Sequence, residues 1–411
     1  MTNQQNRTLG AFEKTFWLLD QIDSKDFALA AEIQGKESVA AWRLAINRVQ
    51  QRHPNLSVRI KLDNDQRAVA EHIELPIPLR VVEATSDYRW QQEVEKELAT
   101  RFDTEVGPLM RIVLVQKPEN TVLILVANHT LADGTSLNYL FRDILNAVTG
   151  KQLEVMAPQR SNDEVLGMSE DFPLPDAEKS AYVFEKIAPV SPKVDSIRFT
   201  NEQSLSILEK SRAEGTTVHG AICAAAVTAA RELRNEWTES KLELISPICT
   251  RKPLQLDDNC GLNITTHPVY YEPEENQNFW DIARFTKSGL AGTDTIEHVQ
   301  NYIGFFRDLT FNSTDIQKMV DILKEAFNHQ IMVTNLVKVK YDTDFGKLKL
   351  NAVYGPMVRS GKGNEQTIGA ISSNGCLCLT NTSDNPIPGI LSKMQQLLLE
   401  ASDVTVESFA R

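Results

Sequence analysis

The run TVLILVAN, residues 121–128, is apolar on both of its alternating faces. A strand with one face in solvent would alternate polar and apolar side chains, so this run predicts a strand covered on both sides. The segment TSLNYLFRDILNAVTG follows shortly after it, with apolar residues at helical spacing from Leu137 to Val148. Thr135 or Ser136 is available as its N-terminal cap and Gly150 as its stop. Together the two segments predict a buried strand, a short loop and an amphipathic helix.

The rest of the chain carries similar patterns of both periods, which predict a mixed α/β fold with large sheets. Predicted helices lie at residues 38–52, 91–101, 201–215, 217–234, 278–290, 314–327 and 387–402. Predicted strands are SVRIKL, LMRIVLVQ, TVLILVAN and LELISPI, and residues 330–340, 347–354, 366–371 and 375–381.

A proline-bearing, polar segment between residues 156 and 192 separates two halves of similar size. A chain of 411 residues exceeds what one hydrophobic core usually serves, so roughly two or three domains are expected. We therefore predict an N-terminal subdomain at 1–175, a linker at 176–195 and a C-terminal subdomain at 196–411.

The net charge, the lack of a visible signal or long apolar segment, and the cysteine spacing argue against several classes of protein. A formal charge of −12 with no run of five basic residues argues against a nucleic-acid partner. No signal sequence and no long apolar span are visible, so a cytoplasmic location is expected. The five cysteines have no C-x-x-C spacing, and Cys376 and Cys378 are expected to serve packing on one face of a strand. No metal site is predicted.

The sequence HTLADG, residues 129–134, lies between the predicted buried strand and the amphipathic helix. A histidine at the end of such a strand can be held in a cleft, where its near-neutral pKa suits it to accept a proton. Asp133 is close enough to shape the loop, and Gly134 can admit a substrate close to the backbone. The N-terminus of the following helix favours a developing negative charge. A histidine at a strand end is also often only a hydrogen-bonded core residue.

Five segments in the same order resemble the superfamily of chloramphenicol acetyltransferase, peptide-synthetase condensation domains and plant BAHD acyltransferases. They are LGAFEKTFWLLD, RHPNLSVRI, FDTEVGPLMR, HTLADG and DFGKLKLNAVYGP. The first resembles the opening of the bacterial polyketide-associated acyltransferases, the phthiocerol dimycocerosyl transferase-like group. The resemblance implies two chloramphenicol-acetyltransferase-like subdomains, each a large mixed sheet with helices, around a central active-site channel.

Within that family the motif histidine is the general base, a role that falls on His129. Asp133 would be a structural partner that holds the loop through an arginine. The candidates are Arg52, Arg59 and Arg251, and the resemblance of PICTRKPL to a family segment favours Arg251.

Other positions are carried over from the resemblance as support for the site. Asn128 stands where condensation domains have a first histidine, which favours the acyltransferase branches. Asn335 in TNLV resembles an S-N-x-G stretch near the site, with Val337 at the glycine position. Asp344, Phe345 and Gly346 resemble the D-F-G of the plant enzymes and would support the channel from the second subdomain.

The resemblance implies an acyltransferase that moves an acyl group from acyl-CoA or an acyl carrier protein to a hydroxyl or amine. The reaction requires no cofactor beyond this co-substrate, and a monomer is expected. One alternative is a non-catalytic condensation-like protein that binds a carrier protein or a lipidic ligand. Another is hydrolysis with Ser136 as nucleophile, which the absence of a G-x-S-x-G elbow disfavours.

Overall fold

The computed structural model describes residues 6–64, 67–168, 190–273, 278–311, 316–360 and 363–403. The helices in these ranges are α1 Ala11–Ile22, α2 Val39–Arg52, α3 Gln91–Leu98, α4 Gly134–Val148, α5 Asn162–Val165, α6 Asn201–Ala213, α7 Val218–Leu233, α8 Phe279–Gly289, α9 Ile296–Phe311, α10 Ile316–Ala326 and α11 Ile390–Ala401. None of these helices has the length and apolar character needed to span a lipid bilayer.

The strands are β1 Arg7–Thr8, β2 Asp26–Gln34, β3 Val58–Leu62, β4 Ala68–His72, β5 Leu79–Glu83, β6 Met110–Gln116, β7 Asn120–Asn128, β8 Lys193–Arg198, β9 Leu242–Cys249, β10 Ile264–Tyr271, β11 Ile331–Lys338, β12 Lys349–Val358, β13 Gln366–Ser373 and β14 Cys376–Ser383. They form a five-stranded sheet in the order β12-β2-β7-β6-β5 and a six-stranded sheet in the order β10-β9-β11-β13-β14-β8. A small third sheet has the order β1-β4-β3. The predicted α/β class with large mixed sheets is confirmed.

Strand β7 is the central strand of the five-stranded sheet, between β2 and β6. Every residue of it from Thr121 to Asn128 is buried, as the apolar character of both faces predicts. Its C-terminal end therefore lies in the interior. The loop that follows is thereby anchored at a defined place.

Strand β12 crosses from the second half of the sequence into the sheet of the first half. It pairs antiparallel with β2, with Tyr354 opposite Ala30 and Val358 opposite Phe27. The strand is nearly all buried, and it continues to Val358, beyond the predicted end of the strand at residue 354. The two halves of the chain therefore share one sheet. Most of the predicted linker at 176–195 lies outside the described residues, and the proposed boundaries stay a prediction.

Helix α4 begins at Gly134, and the prediction of Thr135 or Ser136 as its cap is wrong. The N-cap is Asp133, whose Oδ1 accepts a hydrogen bond from the backbone N–H of Ser136 at 2.8 Å. A carboxylate at the N-cap satisfies one of the free N–H groups of the first turn and suits the helix dipole. Gly150, with φ of +92°, ends the helix region as predicted.

Candidate active site

The imidazole of His129 lies directly after β7, at the wall of a cavity. The backbone N–H of His129 donates to the carbonyl of Lys25 at 2.9 Å, which ties the loop to the segment before β2. The ring stacks on Phe27, with centroids 4.0 Å apart, and on Phe16, with centroids 4.9 Å apart. Only 7% of the residue is exposed. Strand pairing and aromatic contacts thus hold the ring in one orientation.

The protonation state of His129 follows from its contacts. Nδ1 lies 3.2 Å from the carbonyl oxygen of Ala132. Because a carbonyl only accepts hydrogen bonds, Nδ1 carries the proton and Nε2 keeps its lone pair. Burial and the nearby positive charge of Lys25 lower the pKa of His129 to about 4, against the opposing effects of Ala132 and Asp133. The ring is therefore neutral at neutral pH, with Nε2 free of any hydrogen bond to a described residue.

Asp133 is fully buried and holds the loop at its other end. One oxygen caps α4 through Ser136, and Oδ2 accepts hydrogen bonds from Nη1 of Arg251 at 2.7 Å and from the N–H of Asn263 at 2.8 Å. Burial is the largest single effect on the pKa of Arg251 and lowers it, but the charges and hydrogen bonds of Asp133 and Cys249 together outweigh burial and raise this pKa. Both oxygens of Asp133 are thus occupied by donors of the protein.

The three arginines considered as partners of Asp133 have separate roles in the structure. Arg251 makes the contact described above. Arg52 instead pairs with Asp143, 2.9 Å from Nε to Oδ2. Arg59 pairs with Glu71, with Nε 2.6 Å from the carboxylate. Because Arg251 comes from the loop after β9, its ion pair joins the second half of the chain to the HTLADG loop.

The first turn of α4 borders the cavity at Gly134 and Thr135. A Cβ atom added to Gly134 would lie 2.6 Å from Cγ of Pro356 and 3.2 Å from Cδ2 of Leu336, both from the second half of the chain. Glycine is therefore required here by close packing. The backbone N–H groups of Gly134 and Thr135 have no acceptor among the described residues, as expected for the start of a helix.

The hydroxyl of Ser136 is held within the protein. Its oxygen accepts from Nη2 of Arg251 at 2.7 Å and from the N–H of Gly261 at 3.1 Å, and it donates to the carbonyl of Gly261 at 2.8 Å. Only 1% of the residue is exposed. A hydroxyl so enclosed and so occupied is poorly placed to attack a substrate.

Asn128 lies behind the histidine and is absent from the cavity wall. Its Nδ2 group donates to Asp20 at 2.8 Å and to Asp26 at 2.9 Å. Burial raises the pKa of Asp20, and burial together with the charge of Asp20 raises the pKa of Asp26 to about 7. The amide therefore bridges two buried carboxyl groups at the end of β7. These hydrogen bonds stabilise the end of the strand that His129 follows.

Asn335 lines the cavity where β11 leaves regular pairing. Its Oδ1 accepts a hydrogen bond from the N–H of Val337 at 2.7 Å. Val337 has φ of +65°, a conformation that β-branched residues strongly disfavour and glycine adopts freely. This chain adopts that conformation with a valine at the position where the S-N-x-G stretch has glycine.

Asp344, Phe345 and Gly346 form a turn before β12 and do not line the cavity. Asp344 is exposed and pairs with Lys349 at 3.3 Å, while its Oδ1 accepts from the N–H of Gly346. Phe345 is buried in the same hydrophobic cluster as β12. Their contact with the site is indirect, through the strand they precede. The suggested support of the channel stays a prediction.

The cavity has a volume of about 820 Å³, within the roughly 300–1,000 Å³ typical of small-molecule sites. Its apolar wall includes Phe16, Leu19, Ile22, Phe327, Met332 and Pro356. The polar wall includes two residues that the sequence patterns did not single out for the site, Lys25 and His329. Burial lowers the pKa of His329 to about 4, and its Nε2 lies 3.2 Å from the hydroxyl of Ser360. No local motif marks either residue.

Two family profiles match consecutive parts of the chain. The condensation domain profile matches residues 15–161, and the phthiocerol/phthiodiolone dimycocerosyl transferase C-terminus profile matches residues 188–255. The chain is therefore similar to both families over the matched residues. This similarity agrees with the two large sheets and with the position of His129 at the cavity.

Two solved structures share the fold with this chain over nearly its whole length. Polyketide synthase associated protein 5 from Mycobacterium tuberculosis has a TM-score of 0.67 at 15% identity, covering 98% of both chains. The first condensation domain of the calcium-dependent antibiotic synthetase has a TM-score of 0.70 at 15% identity, covering 97% of both chains.

The curated relatives that match this chain are far longer than it is. Tyrocidine synthase 3 of Brevibacillus parabrevis is 26% identical over 146 residues, which are 34% of this chain and 2% of that protein. Surfactin synthase subunit 2 of Bacillus subtilis (strain 168) is 22% identical over 385 residues, which are 84% of this chain and 10% of that protein. The chain thus spans a small part of these relatives.

Proposed function

We propose that the protein transfers an acyl group from an acyl thioester to an alcohol or amine, with His129 as general base. The observation that carries the proposal is a neutral imidazole with Nδ1 bound to Ala132 and Nε2 free beside a cavity. A base must have its lone pair available before reaction, and this ring has it. The condensation and dimycocerosyl transferase families support transfer as the class of reaction.

In the proposed reaction, Nε2 of His129 takes the proton of the acceptor as its oxygen or nitrogen bonds to the thioester carbonyl carbon. The carbonyl oxygen becomes an oxyanion, to which the free N–H groups of Gly134 and Thr135 are suited to donate. Collapse breaks the C–S bond, and the leaving thiolate takes the proton back from Nε2. Both reactants are held in one cavity, so no covalent acyl-enzyme is required.

The low pKa of His129 is compatible with this role. A ring with a pKa of about 4 is unprotonated at neutral pH, so it needs no prior deprotonation. The imidazolium that forms during attack is stabilised by the oxyanion formed at the same time. Transfer therefore keeps the net charge of the buried site constant, since one positive and one negative charge appear and disappear together.

The proposal is tested by release of free thiol from a panel of acyl-CoA and acyl-carrier thioesters, each with alcohol and amine acceptors. His129→Ala is expected to keep the fold and to lose roughly 10²–10⁴-fold in kcat, the usual contribution of positioned proton transfer. His72→Ala, which removes a histidine outside the cavity lining, is the matched control and should keep full activity. Wild-type turnover in His129→Ala would overturn the mechanism.

The alternative of a non-catalytic binding protein makes the opposite prediction. Such a protein would release no thiol from any thioester of the panel, although it would still bind a carrier protein or a lipidic ligand. Acyl-serine formation at Ser136, detected by mass spectrometry, would instead support hydrolysis. The enclosed hydroxyl of Ser136 argues against that outcome.

A further inference from the structure

A serine and a histidine that take no part in the proposed transfer form a hydrogen-bonded pair on the cavity wall. Nε2 of His329 lies 3.2 Å from Oγ of Ser360, and both residues line the cavity. His329 lies two residues before β11 and Ser360 two residues after β12, so the ends of two strands bring the pair together. A hydroxyl within hydrogen-bond reach of an imidazole is the arrangement by which a serine nucleophile is activated.

The hydrogen bonds of the pair are compatible with Ser360 as the donor to His329. Oγ1 of Thr367 lies 2.9 Å from Oγ of Ser360 and can donate to it. The ring of His329 is neutral at neutral pH, because burial lowers its pKa to about 4. A neutral imidazole keeps one lone pair, so Nε2 can accept the hydroxyl proton of Ser360. The three side chains thus form a chain that ends on a base.

Access to the cavity distinguishes Ser360 from two other serines of the chain. Ser360 is half-buried and lines the cavity. Ser246 forms a similar pair with His219, 2.9 Å from Oγ to Nε2, but it is fully buried and lies outside the lining. Ser136 is enclosed as well, with 1% of the residue exposed. Of these three serines, Ser360 alone borders the space that a ligand would occupy.

The charge of the cavity favours an oxyanion beside the pair. Its lining contains seven Lys and Arg side chains and two Asp side chains, although the whole chain is acidic. Lys25 lowers the pKa of His329 and also that of His129, so both rings lie within the field of its ammonium group. A negative charge that forms on a substrate next to either ring is stabilised by this excess of cations.

We propose that Ser360 and His329 form a second catalytic pair, which takes an acyl group from an activated ester or thioester and passes it to water. The inference goes beyond the proposed transfer, since it requires neither His129 nor an alcohol or amine acceptor. In the first step Oγ of Ser360 bonds to the carbonyl carbon of the substrate while Nε2 of His329 takes the hydroxyl proton. The bond to the leaving group then breaks, and the leaving group takes that proton from Nε2.

Water completes the reaction. Nε2 of His329 takes a proton from water as the water oxygen bonds to the carbonyl carbon of the acyl-serine. The bond from that carbon to Oγ of Ser360 then breaks, Oγ takes the proton from Nε2, and a carboxylic acid leaves. One water is consumed for each acyl group released, so the net reaction is hydrolysis. Such a reaction would clear the cavity of an acyl donor for which no acceptor is bound.

Trapping of the covalent adduct tests the proposal in the full chain. The probes are a fluorophosphonate, which reacts with activated serines, and p-nitrophenyl esters and acyl-CoA of short and long chain, all without an alcohol or amine. Peptide mass spectrometry should find the adduct on Ser360. His329→Gln should slow its formation by roughly 10²–10⁴-fold, the usual contribution of positioned proton transfer. Ser360→Cys keeps the base in place, and its new thiol should be acylated by the ester and thioester probes.

The matched control is Ser246→Ala, which removes the hydroxyl of the buried pair with His219. This control should form the adduct on Ser360 as fast as the wild type does. An adduct on Ser136 or Ser246 in place of Ser360, or an unchanged rate in His329→Gln, would overturn the proposal. A wild type that acquires no adduct would overturn it too. If His329→Gln does not fold, Ser360→Cys decides the question, because a variant with no acyl group at that position refutes the pair.

The outcome is separable from that of the proposed transfer. Formation of the adduct on Ser360 should persist in His129→Ala, since the pair does not use that ring. If Ser360 is acylated with the help of His329 but no alcohol or amine ever receives an acyl group, the transfer proposal fails while the second pair stands. If transfer depends on His129 and Ser360 is never acylated, the second pair fails alone.

Discussion

Removal of the Arg251 guanidinium is expected to destabilise the fold strongly, because it leaves the carboxylate of Asp133 buried without its cation. Breaking a buried ion pair from one side typically costs about 3–5 kcal/mol. Asp133 is fully buried, but it keeps the backbone N–H donors of Ser136 and Asn263. Those two hydrogen bonds compensate part of the loss, so Arg251→Met should lower the free energy of unfolding by about 3 kcal/mol.

The assay is urea unfolding of a double-mutant cycle that contains Arg251→Met, Asp133→Asn and the double variant. If the two side chains act as a pair, the double variant should lose less stability than the sum of the single variants, by at least about 1 kcal/mol. Arg59→Met is the matched control, since its pair with Glu71 is 38% exposed on the arginine side. It should cost less than about 1 kcal/mol. A loss for Arg251→Met as small as that of the control would refute the reasoning.

Three further perturbations test other parts of the site. Val337→Gly relieves a left-handed backbone angle that costs about 1–3 kcal/mol. Because glycine loses more conformational entropy on folding, the free energy of unfolding should rise by only about 1 kcal/mol, as measured by urea unfolding. Gly134→Ala forces a Cβ within 2.6 Å of Pro356 and should lower both the melting temperature and kcat; unchanged values would contradict the close packing. The folded-state pKa of Asp26, raised to about 7, implies stability that is fully present below the ordinary value near 4 and lost as pH rises through 7. Asp26→Asn should therefore flatten the fall in melting temperature between about pH 4 and 7, and an equally steep fall in the variant would show that this carboxyl is not responsible.

Much of the local structure could be predicted from sequence because it depends on periodicity. Strand β7 is apolar on both faces, which indicates that both are covered. The apolar residues of α4 recur at helical spacing, which indicates that one face is covered. The HTLADG motif predicted that His129 lies in a cleft. In the structure His129 and Gly134 line the cavity, and Asp133 is next to Gly134 in the chain. The N-cap was misassigned because Asp133, two residues before Thr135, caps the helix in place of the two hydroxyl residues.

Other features depend on contacts that are distant in sequence, and local patterns do not encode them. Helix α1 was not predicted because ten of its twelve residues are buried, so no polar face marks its period. The crossing of β12 into the first sheet requires knowledge of its pairing with β2. Lys25 and His329 come to the cavity from segments about three hundred residues apart. Asn128 was expected to support the site, and it bridges two buried carboxyl groups that no spacing rule connects.

The central claim is that the neutral ring of His129 accepts the proton of the acceptor, and the pH dependence of kcat/KM tests it most directly. This quantity reports ionisations of the free enzyme. With the pKa of His129 lowered to about 4, kcat/KM should be constant from pH 6 to 8 and fall only as pH drops toward about 4, where the ring gains a proton. The residual rate of His129→Ala should lack that acidic decline. A wild-type decline centred between pH 6 and 7, or one that persists in His129→Ala, would contradict the account.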